Sequence, residues 1–202
     1  ADLVMHSATK ALSGHADMMA GSLCVKDSAL AEQLAFLVNA QGTALGPFES
    51  FLLLRGIKTL AVRMERQQEN ASKVATHLRN NQITGDVIYP GFEDHEGHVL
   101  HFSQAGGAGP VLSVRLGSRQ RAVAFVDACK LFRTTVSFGS LTSTISLPYN
   151  MSHASIPEEV RKTRPFGDDL VRLSVGIEDA DDLIADLDQA LAKVEAQGVA
   201  AQ

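Results

Sequence analysis

The stretch DLVMHSATKALSGHAD, residues 2–17, is the part of the sequence from which the fold and its chemistry are predicted. It opens with an apolar run at residues 3–5 that is typical of a buried strand. Ser7, Thr9 and Lys10 follow directly. An ammonium group at the end of a buried strand would be poorly hydrated and would tend to lose its proton. We therefore expect Lys10 to present a reactive amine.

The hydroxyl groups beside Lys10 indicate what this amine would react with. Ser7, Thr9 and the local backbone can bind an anion, while Lys10 forms a covalent bond beside it. Pyridoxal 5'-phosphate requires both features, a phosphate site and a lysine within reach of its aldehyde. The same pattern fits an ordinary strand end with a surface lysine, so the residues alone leave both interpretations open.

The composition is typical of a globular protein and favours a small-molecule substrate. The 202 residues are 45% hydrophobic and 20% charged, and the net charge is −5. No run of five like charges occurs, so neither nucleic acid nor a membrane surface is an expected partner. Cys24 and Cys129 lie far apart and are typical of a reducing compartment. We expect a cytoplasmic location, with an organelle as the alternative.

Short apolar runs alternate with helical patterns along the chain. We predict strands from the apolar runs at residues 2–7, 18–25, 87–92, 111–116 and 171–178. We predict helices from apolar spacings of three and four at residues 28–42, 48–81, 122–132 and 179–197. This order mixes helices and strands. The long helix changes from apolar to charged along its length, so we expect it to link two units, residues 1–65 and 66–202.

Several segments resemble one known family. SATK followed by GHAD, at residues 7–10 and 14–17, is similar to the lysine segment of the Cys/Met metabolism family of pyridoxal-phosphate enzymes. Further similar segments follow in the family's order: GPFESFLLLRGIKTLAVRMERQQENA, YPG, HFSQAGGAG, SFGS, LPYNMSHAS and LVRLSVGIED. The resemblance implies an α/β fold of the PLP-dependent transferase type (fold type I). Residues 1–65 would be the end of the large-domain mixed sheet with its linking helix, and residues 66–202 the C-terminal small α/β domain.

Within this family the chain most resembles the cystathionine β-lyases of the plant and fungal type. The resemblance lies in RGIKT, ERQQENA, HFSQAGGAG, VSFGS and MSHASIPEEVR. Relatives that act at Cγ usually have Glu-Ser where this chain has Val136-Ser137. The resemblance therefore implies β-elimination of L-cystathionine to homocysteine, pyruvate and ammonia, a step of methionine biosynthesis. Cystathionine γ-lyase and γ-synthase chemistry is the alternative.

The resemblance also implies roles for individual residues. Lys10 would hold pyridoxal 5'-phosphate through its amine and then take the Cα proton, while Ser7 and Thr9 would bind the phosphate. Arg172 would bind the substrate α-carboxylate with its planar guanidinium. On the residues alone, Arg172 fits equally well a strand arginine that pairs with a nearby acid.

The loop Val136-Ser137 would complete the substrate site. Ser137 is a further catalytic candidate that would lie close to Lys10 and to the substrate carboxylate. Val136 would influence the choice between β- and γ-elimination. His15 and His153 belong to family-like segments, and we expect only supporting roles for them. The family implies a homo-oligomer, a tetramer built from dimers.

Part of the family pattern is not in this sequence. Members have, before the lysine, an aspartate that pairs with the pyridine nitrogen, a stacking aromatic residue and further phosphate ligands. Asp2 lies too few residues before Lys10 to replace that aspartate. We therefore expect the chain to be the C-terminal half of an enzyme. A non-catalytic fragment, or one chain that needs its N-terminal half, is the alternative from a different class.

Three other features of the sequence point to no separate function. His95, His98 and His101 are regularly spaced but lack a fourth ligand, so we predict no metal site. The glycine-rich residues 104–110 do not lie between a strand and a helix of the dinucleotide-binding type and are predicted to form a loop. Cys129 lies on the apolar side of a predicted helix and is expected to be a packed small side chain rather than a nucleophile.

Overall fold

The computed structural model describes residues 1–163 and 167–200, and the chain divides into two units, residues 1–61 and 62–202. The predicted boundary at residues 65 and 66 lies near this division. The predicted boundary and the observed division both lie within one helix, α3 (Leu60–Arg79). Each unit has its own sheet.

Two antiparallel strands form the sheet of the first unit, and both were predicted. They are β1 (Leu3–Ser7) and β2 (Gly21–Val25), the second of which begins later than expected. The predicted burial of β1 is wrong, because Leu3 is 38% and Met5 65% exposed. Two strands alone make only a narrow ribbon, whose apolar side chains stay exposed wherever no further layer packs on them.

Two helices complete the first unit, α1 (Ser28–Ala40) and α2 (Pro47–Ile57). The carboxylate of Asp27 accepts the N–H of Leu30 at 2.7 Å and caps the start of α1. Just after the helix ends, Gly42 has a φ of +66°, a conformation that glycine adopts readily. The predicted helix at 28–42 is therefore confirmed.

The single helix predicted over residues 48–81 is wrong, because α2 ends at Ile57 and α3 begins at Leu60. Thr59 donates its N–H at 3.2 Å and its hydroxyl at 3.1 Å to the carbonyl of Gly56. In a continuous helix that carbonyl would accept the N–H of the first residue of α3. The side chain of Thr59 thus helps to end one helix before the next begins.

A five-stranded mixed sheet forms the second unit, with the strands in the order β3-β4-β7-β6-β5. Strands β5 and β6 are parallel and the other neighbours are antiparallel. This arrangement confirms the α/β class. The elements that follow α3 are β3 (Val87–Ile88), α4 (His98–Phe102), β4 (Val111–Arg115), α5 (Arg119–Ala128), β5 (Arg133–Thr134), β6 (Thr144–Ser146), α6 (Glu158–Lys162), β7 (Leu170–Ser174) and α7 (Ala180–Ala200).

The core of the second unit lies between this sheet and its long helices. The apolar face predicted for the C-terminal helix is confirmed, since four of its side chains are at most 2% exposed: Leu183, Leu187, Leu191 and Val194. They share one cluster with buried residues of α3, α5, β4 and β7. This core fixes β7, the strand that carries Arg172.

The predicted strands at 87–92 and 171–178 are both shorter in the structure. Only residues 87 and 88 form β3, because Pro90 and Gly91 lie in a turn in which Phe92 donates its N–H to Tyr89 at 3.1 Å. Strand β7 ends at residue 174. After β7, the Val175 N–H still donates to the Pro110 carbonyl at 2.8 Å, just before β4 begins, and the Ile177 N–H donates to the Leu141 carbonyl at 2.9 Å.

The predicted helix at 122–132 is displaced towards the N-terminus. It begins after Ser118, whose hydroxyl accepts the N–H of Arg121 at 3.3 Å. It ends at residue 128 because the N–H groups of Lys130 and Leu131 donate to the carboxylate of Asp186. The element was predicted correctly, but a side chain far along the chain decides its end.

None of the helices within residues 1–163 and 167–200 combines the length and the apolar character that a membrane span requires.

Candidate active site

Lys10 lies in a single π-helical turn, Ala8–Leu12, that directly follows β1. Its backbone leaves the helical conformation, with φ −85° and ψ −130°. Two hydrogen bonds close the turn around it: Ser13 donates to Ala8 at 2.9 Å, and Gly14 donates to the Lys10 carbonyl at 2.8 Å. These hydrogen bonds fix the backbone of Lys10, whose side chain is half-buried.

Thr9 ties this turn to the start of β2. Its N–H donates to the Ala20 carbonyl at 3.2 Å, and its hydroxyl accepts the Ala20 N–H at 3.0 Å. The hydroxyl also donates a hydrogen bond to the Ala20 carbonyl at 3.4 Å. Ser7, by contrast, is exposed, and its hydroxyl has no hydrogen-bond partner among residues 1–163 and 167–200. Of the two predicted phosphate ligands, Ser7 is the one whose hydroxyl proton is available.

Further contacts hold the residues that directly follow this turn. His15 places its Nδ1 2.7 Å from the Ser13 carbonyl, and the Ser13 hydroxyl donates to Asp17 at 3.3 Å. At Gly56 of α2, a Cβ atom would lie 2.4 Å from the Ser13 carbonyl oxygen, so only glycine permits this approach. The sequence predicted a supporting role for His15 but did not reveal that of Gly56.

The chemistry of these donors is suited to an aldehyde cofactor that carries a phosphate. A lysine amine on a fixed backbone and a nearby hydroxyl with a free proton are the groups that such a cofactor requires. A separate cleft of about 820 Å³ in this unit lies along β2 and α1, and its lining includes Leu34 and Val38 but not Lys10. The lysine turn, rather than that cleft, carries the groups suited to chemistry.

Arg172 of β7 has neighbours that suit an anion-binding group. Its guanidinium donates to the Val136 carbonyl at 2.8 Å and lies 5.0 Å from the centre of the Phe138 ring. Burial lowers the pKa of this guanidinium. In the described part of the chain no carboxylate forms an ion pair with it, whereas Arg115 on the adjacent strand pairs with Asp169 at 2.8 Å. The alternative of an arginine paired with an acid therefore does not apply to Arg172 here.

The loop after β5 supplies both neighbours of Arg172. Val136 is 52% exposed, and Ser137 is half-buried with its carbonyl accepting the Thr144 hydroxyl at 3.2 Å. The structure thus places the Val136 carbonyl beside the Arg172 guanidinium. Phe138 was missed, although its place in the family-like segment SFGS was a signal that could have found it.

The histidine and cysteine groups show no separate site. His95, His98 and His101 each bond a backbone group through one ring nitrogen, at 3.0, 2.8 and 2.8 Å. Nowhere in the described ranges do three or more His, Cys, Asp or Glu side chains converge as metal ligands would. Burial and the charge of Asp186 raise the pKa of the Cys129 thiol to about 12, which leaves it protonated and unreactive near neutral pH.

Comparison with known proteins shows the family of the chain. Residues 1–192 match the model of the family described as Cys/Met metabolism PLP-dependent enzyme. The chain is 55% identical over 188 residues to the chloroplastic cystathionine beta-lyase of Arabidopsis thaliana, covering 93% of this chain and 40% of the relative. It is 46% identical over 194 residues to the cystathionine gamma-lyase of Bacillus subtilis, covering 96% and 51%.

A solved structure shows the same fold. The cystathionine gamma synthase of Xanthomonas oryzae pv. oryzae in complex with cystathionine superimposes with a TM-score of 0.92 at 41% identity, over 97% of this chain and 51% of that one. The chain therefore belongs to the Cys/Met metabolism family of PLP-dependent enzymes and has the fold of that family. It spans about half the length of the curated relatives that it matches.

Proposed function

We propose that this chain provides the lysine and the carboxylate-binding arginine of a carbon–sulfur lyase that cleaves L-cystathionine by β-elimination. The products are homocysteine, pyruvate and ammonia. The observation that carries the proposal is Arg172, a half-buried guanidinium with a carbonyl and an aromatic neighbour but no carboxylate partner in the described chain. Binding of a substrate carboxylate to such a guanidinium is more favourable in free energy than binding to an arginine that already pairs with an acid.

Lys10 and Ser7 are proposed to hold the cofactor. When bound, pyridoxal 5'-phosphate supplies an electron sink for the negative charge that forms at Cα. The Lys10 Nζ atom would bind it, would be released when the substrate amine takes its place, and would then take the Cα proton of the substrate, while the Ser7 hydroxyl would donate to the phosphate. Thr9 is proposed as a second phosphate ligand, although its hydroxyl proton points to the Ala20 carbonyl. Its main effect would then be to fix the turn that carries Lys10.

Arg172 is proposed to orient the substrate through its α-carboxylate. A guanidinium has five N–H donors in a fixed plane, and one of them is used by the Val136 carbonyl. The other donors suit a two-pronged bond to a carboxylate. Ser137, in the same loop, is proposed to assist at this carboxylate. With the substrate held in this way, loss of the Cα proton leads to departure of the thiolate from Cβ.

Gamma-elimination is the second candidate, because the matched relatives include a cystathionine gamma-lyase and a cystathionine gamma synthase. Val136 favours the β reaction, since it offers no carboxylate where relatives that act at Cγ usually have glutamate. β-Elimination releases pyruvate from the three-carbon arm of cystathionine. γ-Elimination releases 2-oxobutyrate from the four-carbon arm, so the product identifies the reaction.

The test is product analysis with the full-length gene product and L-cystathionine. We expect pyruvate and homocysteine, no activity in Lys10→Ala, and a KM raised by about 100-fold in Arg172→Lys, because lysine cannot form the two-pronged bond. The matched control is Arg115→Lys on the neighbouring strand, where the arginine already pairs with Asp169. If 2-oxobutyrate is the main product, the reaction is γ-elimination rather than β-elimination. If Arg172→Lys and Arg115→Lys change KM equally, the proposed role of Arg172 is refuted.

Cofactor binding is tested separately with the 202-residue chain. We expect a change in the visible absorption of added pyridoxal 5'-phosphate that disappears in Lys10→Ala and remains in the control Lys26→Ala, since a lysine amine forms the covalent bond. If no difference between the two variants is seen, this chain does not bind the cofactor by itself. The non-catalytic fragment would then be the better description of the 202 residues.

The assembly and the location are proposed from the family alone. A homo-oligomer, a tetramer built from dimers, is expected for the full-length protein, and light scattering measures it. A cytoplasmic location is proposed, with an organelle as the alternative because the Arabidopsis thaliana relative is named chloroplastic. Fluorescence microscopy of the tagged full-length protein distinguishes the two.

A further inference from the structure

Two buried polar side chains lie close to the loop that contacts Arg172. Gln67 on α3 is 0% exposed, and Ser174 on β7 is 2% exposed. Burying a polar group is costly unless it forms a hydrogen bond, so the partners of these two side chains indicate what they do. Neither residue received a role from the sequence, although Gln67 lies in the family-like segment ERQQENA.

Both side chains bond the backbone at the end of that loop. The Gln67 side-chain amide donates to the Ser140 carbonyl at 2.6 Å, and the Ser174 hydroxyl accepts the Gly139 N–H at 3.0 Å. Gly139 has a φ of +79°, a conformation that favours glycine. Side chains of α3 and β7 therefore hold the backbone of the adjacent residues Gly139 and Ser140. Both side chains come from distant parts of the sequence.

The loop held in this way supplies the surroundings of Arg172. At its start, Thr135 donates its N–H to Ile145 at 3.1 Å, so both ends of the loop are tied. Between these ends lie the Val136 carbonyl and the Phe138 ring that contact the guanidinium. Ser174 and Arg172 are two residues apart on β7 and point to the same face of the sheet. One strand thus fixes both the guanidinium and the loop it bonds.

We infer that Gln67 and Ser174 are positioning residues, which hold the loop at 136–140 so that Arg172 keeps its orientation for a substrate carboxylate. The inference rests on the proposed function of Arg172. Without these two bonds the loop would lose its anchors near Gly139, and the Val136 carbonyl would no longer orient the guanidinium. Carboxylate binding would weaken, whereas the proton transfer at Lys10 would not depend on either residue.

The experiment uses three single variants of the full-length gene product. Gln67→Met keeps the length of the side chain and removes its donor, and Ser174→Ala removes the acceptor. Ser174→Thr restores a hydroxyl at the same place. The matched control is Gln68→Met, because the Gln68 side chain accepts the Gly109 N–H at 3.0 Å and so holds a different loop.

Two measurements are made on each variant: amide hydrogen exchange at Gly139, and KM and kcat for L-cystathionine. In Gln67→Met and Ser174→Ala we expect Gly139 exchange to accelerate about tenfold and KM to rise about tenfold, with kcat changed less than about twofold. Ser174→Thr should recover wild-type values, and Gln68→Met should leave both quantities unchanged. A general loss of folding would not separate KM from kcat in this way.

The inference and the proposed function fail differently. Unchanged exchange at Gly139, or faster exchange with unchanged KM, overturns the positioning role. If the wild-type protein releases neither pyruvate nor 2-oxobutyrate, the proposed function fails, and Gly139 exchange alone then decides whether the two residues hold the loop. Should Gln67→Met fail to fold, the Ser174→Ala and Ser174→Thr pair still gives the decision.

Discussion

Asp186 offers the sharpest test of how the second unit is held together. It is 5% exposed, and its carboxylate closes the turn between α5 and β5. Oδ1 accepts the Lys130 N–H at 2.9 Å and Oδ2 accepts the Leu131 N–H at 2.8 Å, with the Phe132 N–H 3.4 Å from Oδ2. Asp186→Asn keeps the size of the side chain but replaces one acceptor by a donor. With the amide nitrogen at the Oδ2 position, the Leu131 N–H loses its acceptor. With the amide nitrogen at the Oδ1 position, the Lys130 N–H keeps Oδ2 at 3.0 Å, but the Gln189 side-chain amide loses an acceptor at 3.1 Å and faces a donor instead.

The expected loss follows from these bonds. A hydrogen bond to a charged group contributes about 1.5–3 kcal/mol, and an unsatisfied buried donor adds a desolvation cost of about 1–3 kcal/mol. Because the two contributions overlap, we expect Asp186→Asn to lower the free energy of unfolding by about 2–4 kcal/mol. The loop at 136–140 follows this turn, so the same change should also disturb the surroundings of Arg172.

Chemical unfolding of the full-length gene product, followed by circular dichroism, measures this loss. The control is Asp188→Asn on the same helix, because the Asp188 side chain is 48% exposed and pairs with the half-exposed His77. Removal of such a pair should cost about 0.5 kcal/mol or less. An Asp186→Asn loss no larger than that of the control would refute the proposed closure of the turn.

Three further predictions concern other parts of the chain. Val136→Glu in the full-length protein should raise 2-oxobutyrate relative to pyruvate, as product analysis shows, because it adds the carboxylate found in relatives that act at Cγ. Gly56→Ala should destabilise the first unit by about 1–3 kcal/mol in chemical unfolding, since its Cβ would lie 2.4 Å from a backbone oxygen of the lysine segment, whereas Gly106→Ala meets no atom within 4 Å. Iodoacetamide at pH 8 should label the exposed Cys24 and spare Cys129, and mass spectrometry measures this. Because burial raises the pKa of Cys129 from 9.0 to about 12, its contribution to stability is complete below pH 9.0 and should be lost as the pH rises towards 12.

Each of these predictions has an opposite outcome. An unchanged product ratio in Val136→Glu would separate this residue from the choice of reaction. Equal stability of Gly56→Ala and Gly106→Ala would mean that α2 does not need its close approach to the lysine segment. Labelling of Cys129 at the rate of Cys24 in the folded protein would contradict its burial.

The elements that were predicted correctly are those whose signals lie in neighbouring residues. Apolar spacing located α1 and α7, and an apolar run followed by small hydroxyl residues located β1 and the lysine. The errors lie where a distant group decides the outcome. Asp186 ends α5, although it lies more than 50 residues further along the chain. The burial predicted for β1 failed because it depends on what packs against the strand, which the strand's own pattern does not specify.

For the candidate site, the sequence by itself determined the family and proposed Lys10 and Arg172 as site residues, because both inferences depend on residue types in collinear segments. Only the tertiary structure decided their surroundings. Arg172 bonds a carbonyl 36 positions away in the chain, and Gln67 reaches a carbonyl 73 positions away. Such pairings arise when the sheet and α3 pack around one core and the remaining buried polar groups must find partners. The sequence contains the donors and acceptors, but packing determines which of them meet.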